Sequence, residues 1–164
     1  MKALVTYYSK TGNTEKLARA IYDAIHFEKD LLPLQNVGSV AGYDIIFIGF
    51  PVHAHSVPAK ILPFFKKLSE GQNIALFCTH GSLRGGHLPK QALEHAISLV
   101  PRVKILGTFG IRGKVEAQLI EALAKQLEHR AWAEEAQGAD RHPDDADLAD
   151  GKDFARSVLA KLGH

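Results

Sequence analysis

The sequence lacks features that several classes of protein require. Cys78 is the only cysteine in 164 residues, which excludes an intramolecular disulfide and any zinc or iron–sulfur site built from paired cysteines of one chain. It lies in an apolar run, so we expect a buried, unreactive thiol. No apolar run approaches the roughly 18–20 residues that cross a membrane, and residues 1–6 do not form a signal peptide. We therefore expect a cytoplasmic protein that binds no membrane.

The sequence also lacks a strong excess of either charge. Its 20 Lys and Arg residues against 18 Asp and Glu residues give a net charge of +2, which is too small to indicate a partner such as nucleic acid. Apolar residues make up 46% and charged residues 23%, close to the averages for globular proteins, so disorder is not predicted. A length of 164 residues suits one hydrophobic core, and we predict a single domain over residues 1–164.

Short apolar segments alternate with helical patterns along the chain. Apolar residues at i, i+3, i+4 and i+7 within residues 15–25 predict a helix with one buried face, whereas residues 44–49 form a continuous apolar strand. Strands that are apolar on both faces and alternate with helices are typical of a parallel sheet covered by helices on both sides. The predicted strands are 4–8, 30–34, 44–49, 73–78 and 103–109, and the predicted helices are 15–25, 59–68, 89–100, 117–136 and 143–162.

The loop after the first strand has the composition of an anion-binding site. Residues 9–14 read Ser-Lys-Thr-Gly-Asn-Thr and combine three hydroxyls with backbone N–H groups at the start of a helix, which suits a phosphate. The chain contains neither Gly-Lys-Ser nor Gly-Lys-Thr, and the loop lacks the three glycines of a dinucleotide motif. A polar turn capped by Thr11 or Asn13 is the alternative interpretation.

The pattern Ser-x-Thr-Gly-Asn-Thr resembles the FMN-phosphate loop of flavodoxins, and residues 50–58 and 79–82 resemble the family's two loops against the flavin ring. The resemblance implies a three-layer α/β/α flavodoxin-like fold with a five-stranded parallel sheet in the family's order 2-1-3-4-5. The three loops would then meet at the carboxyl ends of strands. It implies phosphate contacts from Ser9, Lys10, Thr11, Gly12, Asn13 and Thr14, and ring contacts from Pro51, Val52, His53 and Ala54 on one face and Thr79, His80, Gly81 and Ser82 on the other.

Two features depart from the flavodoxin pattern. Flavodoxins commonly stack the ring between aromatic side chains, but the only tryptophan, Trp132, lies in a late predicted helix and the two ring loops contain no tyrosine. We expect the imidazoles of His53 and His80 to replace the aromatic contacts. Residues 46–69 and 71–93 contain no Asp or Glu, whereas flavodoxins place acidic residues near the flavin. A basic surround favours the anionic hydroquinone, because opposite charges attract.

Four histidines lie in or near the ring loops. Imidazole is a good ligand for zinc, copper and iron, but the same loops supply neither a carboxylate nor a thiolate. We therefore predict no metal site. For His53 and His80 we predict either a cofactor contact or an ordinary surface position. The four residues are His53, His55, His80 and His87.

An acidic cluster opens the last predicted helix. Asp144, Asp145 and Asp147 follow Pro143, where the helix dipole favours carboxylates and proline fits the first helical position. A metal site is the alternative, but the helix start by itself accounts for carboxylates at these positions. We predict helix capping.

The resemblance favours an FMN-binding electron-transfer protein that shuttles electrons between a reductase and a redox acceptor, with the flavin supplying the chemistry and no catalytic residue in the chain. The alternative is an FMN-dependent NAD(P)H reductase of a quinone or another small acceptor. A flavin-free receiver module is the third interpretation, but Phe50 and Pro51 stand where its aspartate is required. We expect redox partner proteins, with a small-molecule acceptor as the alternative.

Overall fold

Five parallel strands form one sheet. The strands are β1 (Lys2–Tyr7), β2 (Glu28–Pro33), β3 (Ile45–Pro51), β4 (Asn73–His80) and β5 (Lys104–Arg112). The computed structural model, which describes residues 1–52, 56–82 and 85–163, orders them β2-β1-β3-β4-β5, and the predicted order is confirmed. Every neighbouring pair is parallel, so the carboxyl ends of all five strands lie at the same edge of the sheet.

Helices cover both faces of the sheet, which gives the three predicted layers. They are α1 (Asn13–Asp23), α2 (Leu62–Phe65), α3 (His87–Ser98), α4 (Ala117–Ala124), α5 (Arg130–Gln137) and α6 (Asp145–Lys161), with 3-10 turns at Leu34–Asn36, Ala59–Ile61 and Leu127–His129. Helices α1 and α6 share a core with one face, whereas α2 and α3 share a core with the other. None of the helices that the structure describes has the length and hydrophobicity needed to cross a membrane.

The central strand β3 is apolar on both faces because it lies between these two cores. Ile45 and Phe47 belong to one core and Ile46 and Ile48 to the other, as a side-chain period of two requires. At Gly49, a Cβ atom would lie 2.0 Å from the Phe77 ring. The phenyl ring therefore fills the space that any larger residue would need.

The helix predicted over residues 117–136 is wrong as a single element. It is divided into α4, the turn at Leu127–His129 and α5. A straight helix of this length would extend about 30 Å. Instead α4 and α5 pack against each other around a small core of their own, formed by Ile120, Ala133 and Ala136. We call residues 116–137 the cap.

The helix predicted over residues 59–68 is also shorter than expected. The structure has a 3-10 turn at Ala59–Ile61 and only four residues in α2. Pro63 lies in the first turn of α2, where the missing N–H group is tolerated, and it cannot belong to a longer helix that begins at residue 59 without removing a hydrogen bond. The remaining predicted elements are present, and the largest difference is the end of β5, at Arg112 instead of residue 109.

Helix α6 begins with a capping box. The side chain of Asp144 accepts a hydrogen bond from the Asp147 N–H group, and the side chain of Asp147 accepts one from the Asp144 N–H group, both at 2.9 Å. The bond from the Asp147 N–H group lowers the pKa of the Asp144 carboxyl. His142 also bonds Asp147. The predicted capping role is confirmed, although Pro143 precedes the cap residue instead of occupying the first helical position.

Thr6 in β1 carries a buried hydroxyl whose effect on stability can be tested. Its side chain is fully buried, and its hydroxyl has no hydrogen-bond partner among the described residues. An unpaired buried hydroxyl costs about 1–3 kcal/mol. Thr6→Val keeps the branched shape, so we expect the free energy of unfolding in urea to rise by about 1 kcal/mol. As a matched control, Val5→Thr places a hydroxyl at the buried neighbouring position and should lower the free energy of unfolding. A Thr6→Val variant no more stable than the unaltered protein would contradict this expectation.

Candidate functional site

The loops singled out in the sequence lie along the carboxyl edge of the sheet. The Val52 N–H group donates to the Thr79 carbonyl at 2.9 Å, and the Gly113 N–H group donates to the His80 carbonyl at 2.8 Å. The loops after β3 and β5 are therefore both fastened to the end of β4. His53 and Ala54, which were predicted for one ring face, lie outside the described residues, as do His55 and Arg84.

The loop after β1 is shaped around Gly12. This glycine has a φ of 93°, a left-handed conformation that residues with a Cβ rarely adopt. Its N–H group donates to the Ser9 hydroxyl oxygen at 3.0 Å, and α1 begins at the next residue. Among the residues that the structure describes, no side chain caps this helix start, so the alternative of a turn capped by Thr11 or Asn13 is wrong. An uncapped helix start keeps N–H groups and the positive end of the dipole available for an anion.

Thr14 links this loop to the end of β4. Its hydroxyl lies 2.9 Å from that of Thr79, and either oxygen can be the donor. Both residues are almost fully buried. Since a hydroxyl carries one proton and two lone pairs, this bond uses only part of what the two groups offer. The bond between Thr14 and Thr79 therefore fixes the distance between the loop after β1 and the loop after β4.

Asn13 links the same loop to the end of β5. Its side-chain amide donates to the Lys114 carbonyl at 2.9 Å. A Cβ atom at Gly113 would lie 2.7 Å from the Asn13 amide nitrogen, so the contact requires glycine there. The side chain of Asn13 thus positions the loop, and its backbone N–H group belongs to the uncapped helix start.

The loop after β4 is folded inward. His80 is only 7% exposed, and its Nδ1 lies 3.0 Å from the Ser82 carbonyl, so Nδ1 carries the proton of this bond. The imidazole also packs on Gly110, where a Cβ atom would lie 3.4 Å from the ring. His80 therefore presents a ring that is held in place at this edge of the sheet.

Arg112, at the end of β5, also lies at the site. Its guanidinium donates to the carbonyls of Ser82 at 3.2 Å, Glu135 at 2.8 Å and Gly138 at 3.3 Å. The last two carbonyls are at the end of α5, where a cation is favourable to the helix dipole. Arg112 therefore joins the loop after β4 to the cap.

Two adjoining cavities open at this edge. The smaller, of about 230 Å³, reaches Thr11, Asn13, Pro51 and Thr79. The larger, of about 490 Å³, extends beneath the cap and has the size and mainly apolar walls typical of small-molecule pockets. Both cavities are lined by Lys10, Val52, His80, Gly81, Leu119 and Trp132, and the larger also by Ser82, Leu88, Pro89, Leu123 and His129.

The cap residues among these walls were missed in the sequence. Leu119, Leu123, His129 and Trp132 follow an ordinary helical pattern, and only the long connection between β5 and α6 could have indicated an additional structure over the site. Ser9 and Gly12 line an adjoining groove of about 910 Å³ on the β2 side of the loop, which shares Lys10 with the two cavities.

The charge at the loop after β1 is mainly positive. Lys10 borders both site cavities and the groove, and Lys60 borders the groove. Glu15 is also at the groove, but its carboxylate bonds Arg19 at 2.8 Å and Tyr7 at 3.1 Å. The Arg19 bond lowers the pKa of Glu15, so the carboxylate is ionised and its charge is balanced by Arg19. An anion at this loop therefore meets little repulsion.

Cys78 is not part of this chemistry. The residue is fully buried in the core beneath α2 and α3, and this burial raises the pKa of its thiol to about 12. The thiol is therefore protonated and unreactive at neutral pH, which confirms the expectation of a buried core residue.

The parallel sheet has the order β2-β1-β3-β4-β5, and its carboxyl edge carries an uncapped helix start and the loops after β3 and β4. These features define the flavodoxin-like class of α/β proteins. The family model described as a flavodoxin domain matches residues 4–156, and the chain belongs to the flavodoxin family. It is 30% identical to the flavodoxin-like domain-containing protein BilS of Clostridioides difficile (strain CD3), over 98% of each chain. The BilS protein of Clostridium symbiosum (strain WAL-14163) is 25% identical, over 99% of this chain and 98% of the relative.

Solved structures show the same fold. A flavodoxin from the domain Archaea superposes with a TM-score of 0.67 at 18% identity, over 100% of both chains. Oxidised Flavodoxin 2 from Bacillus cereus has a TM-score of 0.67 at 18% identity, over 98% of this chain and 99% of the other. A flavoprotein in complex with FMN from Lactobacillus acidophilus NCFM has a TM-score of 0.55 at 19% identity, over 66% of this chain and 92% of the other.

The bond between Thr14 and Thr79 can be tested as a pair. Thr14→Val leaves the buried Thr79 hydroxyl without its partner, so we expect the free energy of unfolding in urea to fall by about 1–3 kcal/mol, and likewise for Thr79→Val. The double variant removes both hydroxyls and should be more stable than the sum of the single losses predicts, since the two effects are coupled. Strictly additive losses would show that the two hydroxyls do not interact.

Proposed function

We propose that this chain binds FMN and acts as an electron-transfer flavoprotein, carrying electrons between a reductase and a redox acceptor. The observation that carries the proposal is the uncapped start of α1 behind Gly12, next to a cavity with mainly apolar walls at the same sheet edge. FMN has a phosphate at one end, which suits the helix start, and a planar ring at the other, which suits the apolar cavity. Family membership and a structural neighbour that holds FMN support it.

The residues present fit the phosphate of FMN. Backbone N–H groups at the start of α1 and the hydroxyls of Ser9 and Thr11 would donate to the phosphate oxygens, and Lys10 adds one positive charge. Hydrogen bonds to an ionised acceptor are stronger than neutral ones. Thr14 and Asn13 would contribute through position, because their side chains fasten the loop to β4 and to the loop after β5.

The residues present also fit the ring. Pro51 and Val52 would face one side, and the segment 79–82 the other, while His53 and Ala54 stay predicted contacts. The apolar walls of the larger cavity would exclude water from the ring. When bound, FMN supplies the redox chemistry, and the chain's residues hold and orient it.

Flavin binding and the phosphate loop can be tested together. The purified protein should take up FMN and show the visible absorption of a flavin, and riboflavin, which has no phosphate, should bind far more weakly. Thr11→Ala removes a donor to the phosphate, so we expect a loss of about 1.5–3 kcal/mol, or roughly ten- to a hundredfold, in FMN affinity and no change for riboflavin. Calorimetric titration measures both.

Thr108→Ala is the matched control, because Thr108 is an exposed threonine in β5 and lines none of the cavities described. It should bind FMN as the unaltered protein does. Equal affinities for FMN and riboflavin would overturn the phosphate assignment, and a protein that takes up no flavin would overturn the proposed function.

A second candidate function is direct reduction of a small acceptor by NAD(P)H. The observation that favours it is the basic surround of the site: Lys10 borders both cavities, and residues 46–69 and 71–93 contain no Asp or Glu, which favours the two-electron anionic hydroquinone. We expect the FMN-loaded protein, as an electron carrier, to oxidise NADH or NADPH in the presence of a soluble quinone no faster than free FMN does. The assay measures the loss of the reduced nicotinamide's absorbance over time. Rapid turnover without a partner reductase would instead establish the NAD(P)H reductase function.

A further inference from the structure

The single tryptophan of the chain lies at the site, although it is distant in sequence from every flavodoxin-like loop. Trp132 is in the first half of α5 and lines both cavities of the sheet edge. Its side chain is half-buried, which leaves part of the indole facing the cavities. An aromatic surface is therefore present at the site, and it comes from the cap.

Close packing on Gly81 fixes the height of this indole above the sheet edge. A Cβ atom at Gly81 would lie 3.4 Å from Cζ2 of Trp132, 3.3 Å from the Ala136 methyl and 2.6 Å from a Val115 methyl. The cap thus rests on the backbone of the loop after β4. The indole is consequently beside residues 80–82, which form the wall predicted for one face of the ring.

The cap is held in this position by polar bonds as well as by apolar contacts. The Arg112 guanidinium binds the carbonyls of Glu135 and Gly138 at the end of α5 and that of Ser82 in the loop. Ile120 and Ala133 pack in the cap's own core, against which Trp132 lies. A side chain held in this way loses little conformational entropy when a ligand binds, which favours affinity.

We propose that Trp132 contacts the ring of bound FMN, so that the cap supplies the aromatic surface that the two ring loops lack. This inference rests on the proposed function. The contact involves the ring alone, whereas the loop after β1 recognises the phosphate. Loss of the indole therefore lowers the affinity for every flavin by the same factor, whether or not the flavin has a ribityl chain and a phosphate.

The test compares Trp132→Phe with Trp132→Leu, using FMN, riboflavin and lumiflavin as separate probes. Both variants keep an apolar side chain, but only Phe keeps an aromatic face. Since aromatic pairs add about 0.5–1.5 kcal/mol beyond burial, Trp132→Leu should bind each probe about two- to tenfold more weakly than Trp132→Phe. The ratio should be the same for FMN and riboflavin.

A second readout is the emission of the bound flavin, which an indole in contact quenches. At saturating FMN, the emission should be low in the unaltered protein and higher in Trp132→Leu. Leu127→Ala is the control, because Leu127 belongs to the same cap but is 82% exposed and lines none of the cavities described. It should leave both affinity and emission unchanged.

The outcomes separate this inference from the proposed function. Uptake of no flavin by the unaltered protein would overturn both. If the unaltered protein binds FMN, and Trp132→Leu matches Trp132→Phe in affinity and the unaltered protein in emission, the role of Trp132 is overturned and FMN binding stands. A loss that appears with FMN but not with riboflavin would equally overturn it, because the indole would then act on the phosphate end.

Discussion

Parallel pairing of the five strands is the constraint on which the site depends. Because every neighbouring pair runs the same way, segments that are far apart in sequence end at one edge. Backbone bonds from Val52 to Thr79 and from Gly113 to His80 then extend this pairing beyond the strands. The loops need little rigidity of their own, since the sheet already determines where each of them starts.

Hydrogen bonds between side chains and close approaches at glycine complete what the sheet begins. Thr14 and Asn13 join the loop after β1 to two other strand ends, while Gly81 allows the cap to lie on the loop after β4. Arg112 satisfies carbonyls from both the loop and the cap. The polar end of the site is therefore built mainly from backbone and hydroxyl groups, and its apolar end from cap side chains.

The strands and the three loops could be predicted because their signals are local, whereas the strand order followed only from the resemblance to flavodoxins. Residues 9–14 carry a compact motif, and the strands are continuous apolar runs. The cap could not be predicted in the same way, since the helical period of residues 117–136 contains no information about where the chain folds back. The bonds from Thr14 to Thr79 and from Arg112 to Glu135 join distant residues, and no pattern along the chain indicates such partners.

The separate core of the cap has a consequence for how the molecule opens. Ile120, Ala133 and Ala136 form a cluster distinct from the two large cores on the faces of the sheet. Regions with few buried contacts of their own open at lower free energy than the rest of a protein. We therefore expect the cap to open at a lower free energy than the sheet, so that a molecule bound beneath it can leave without global unfolding.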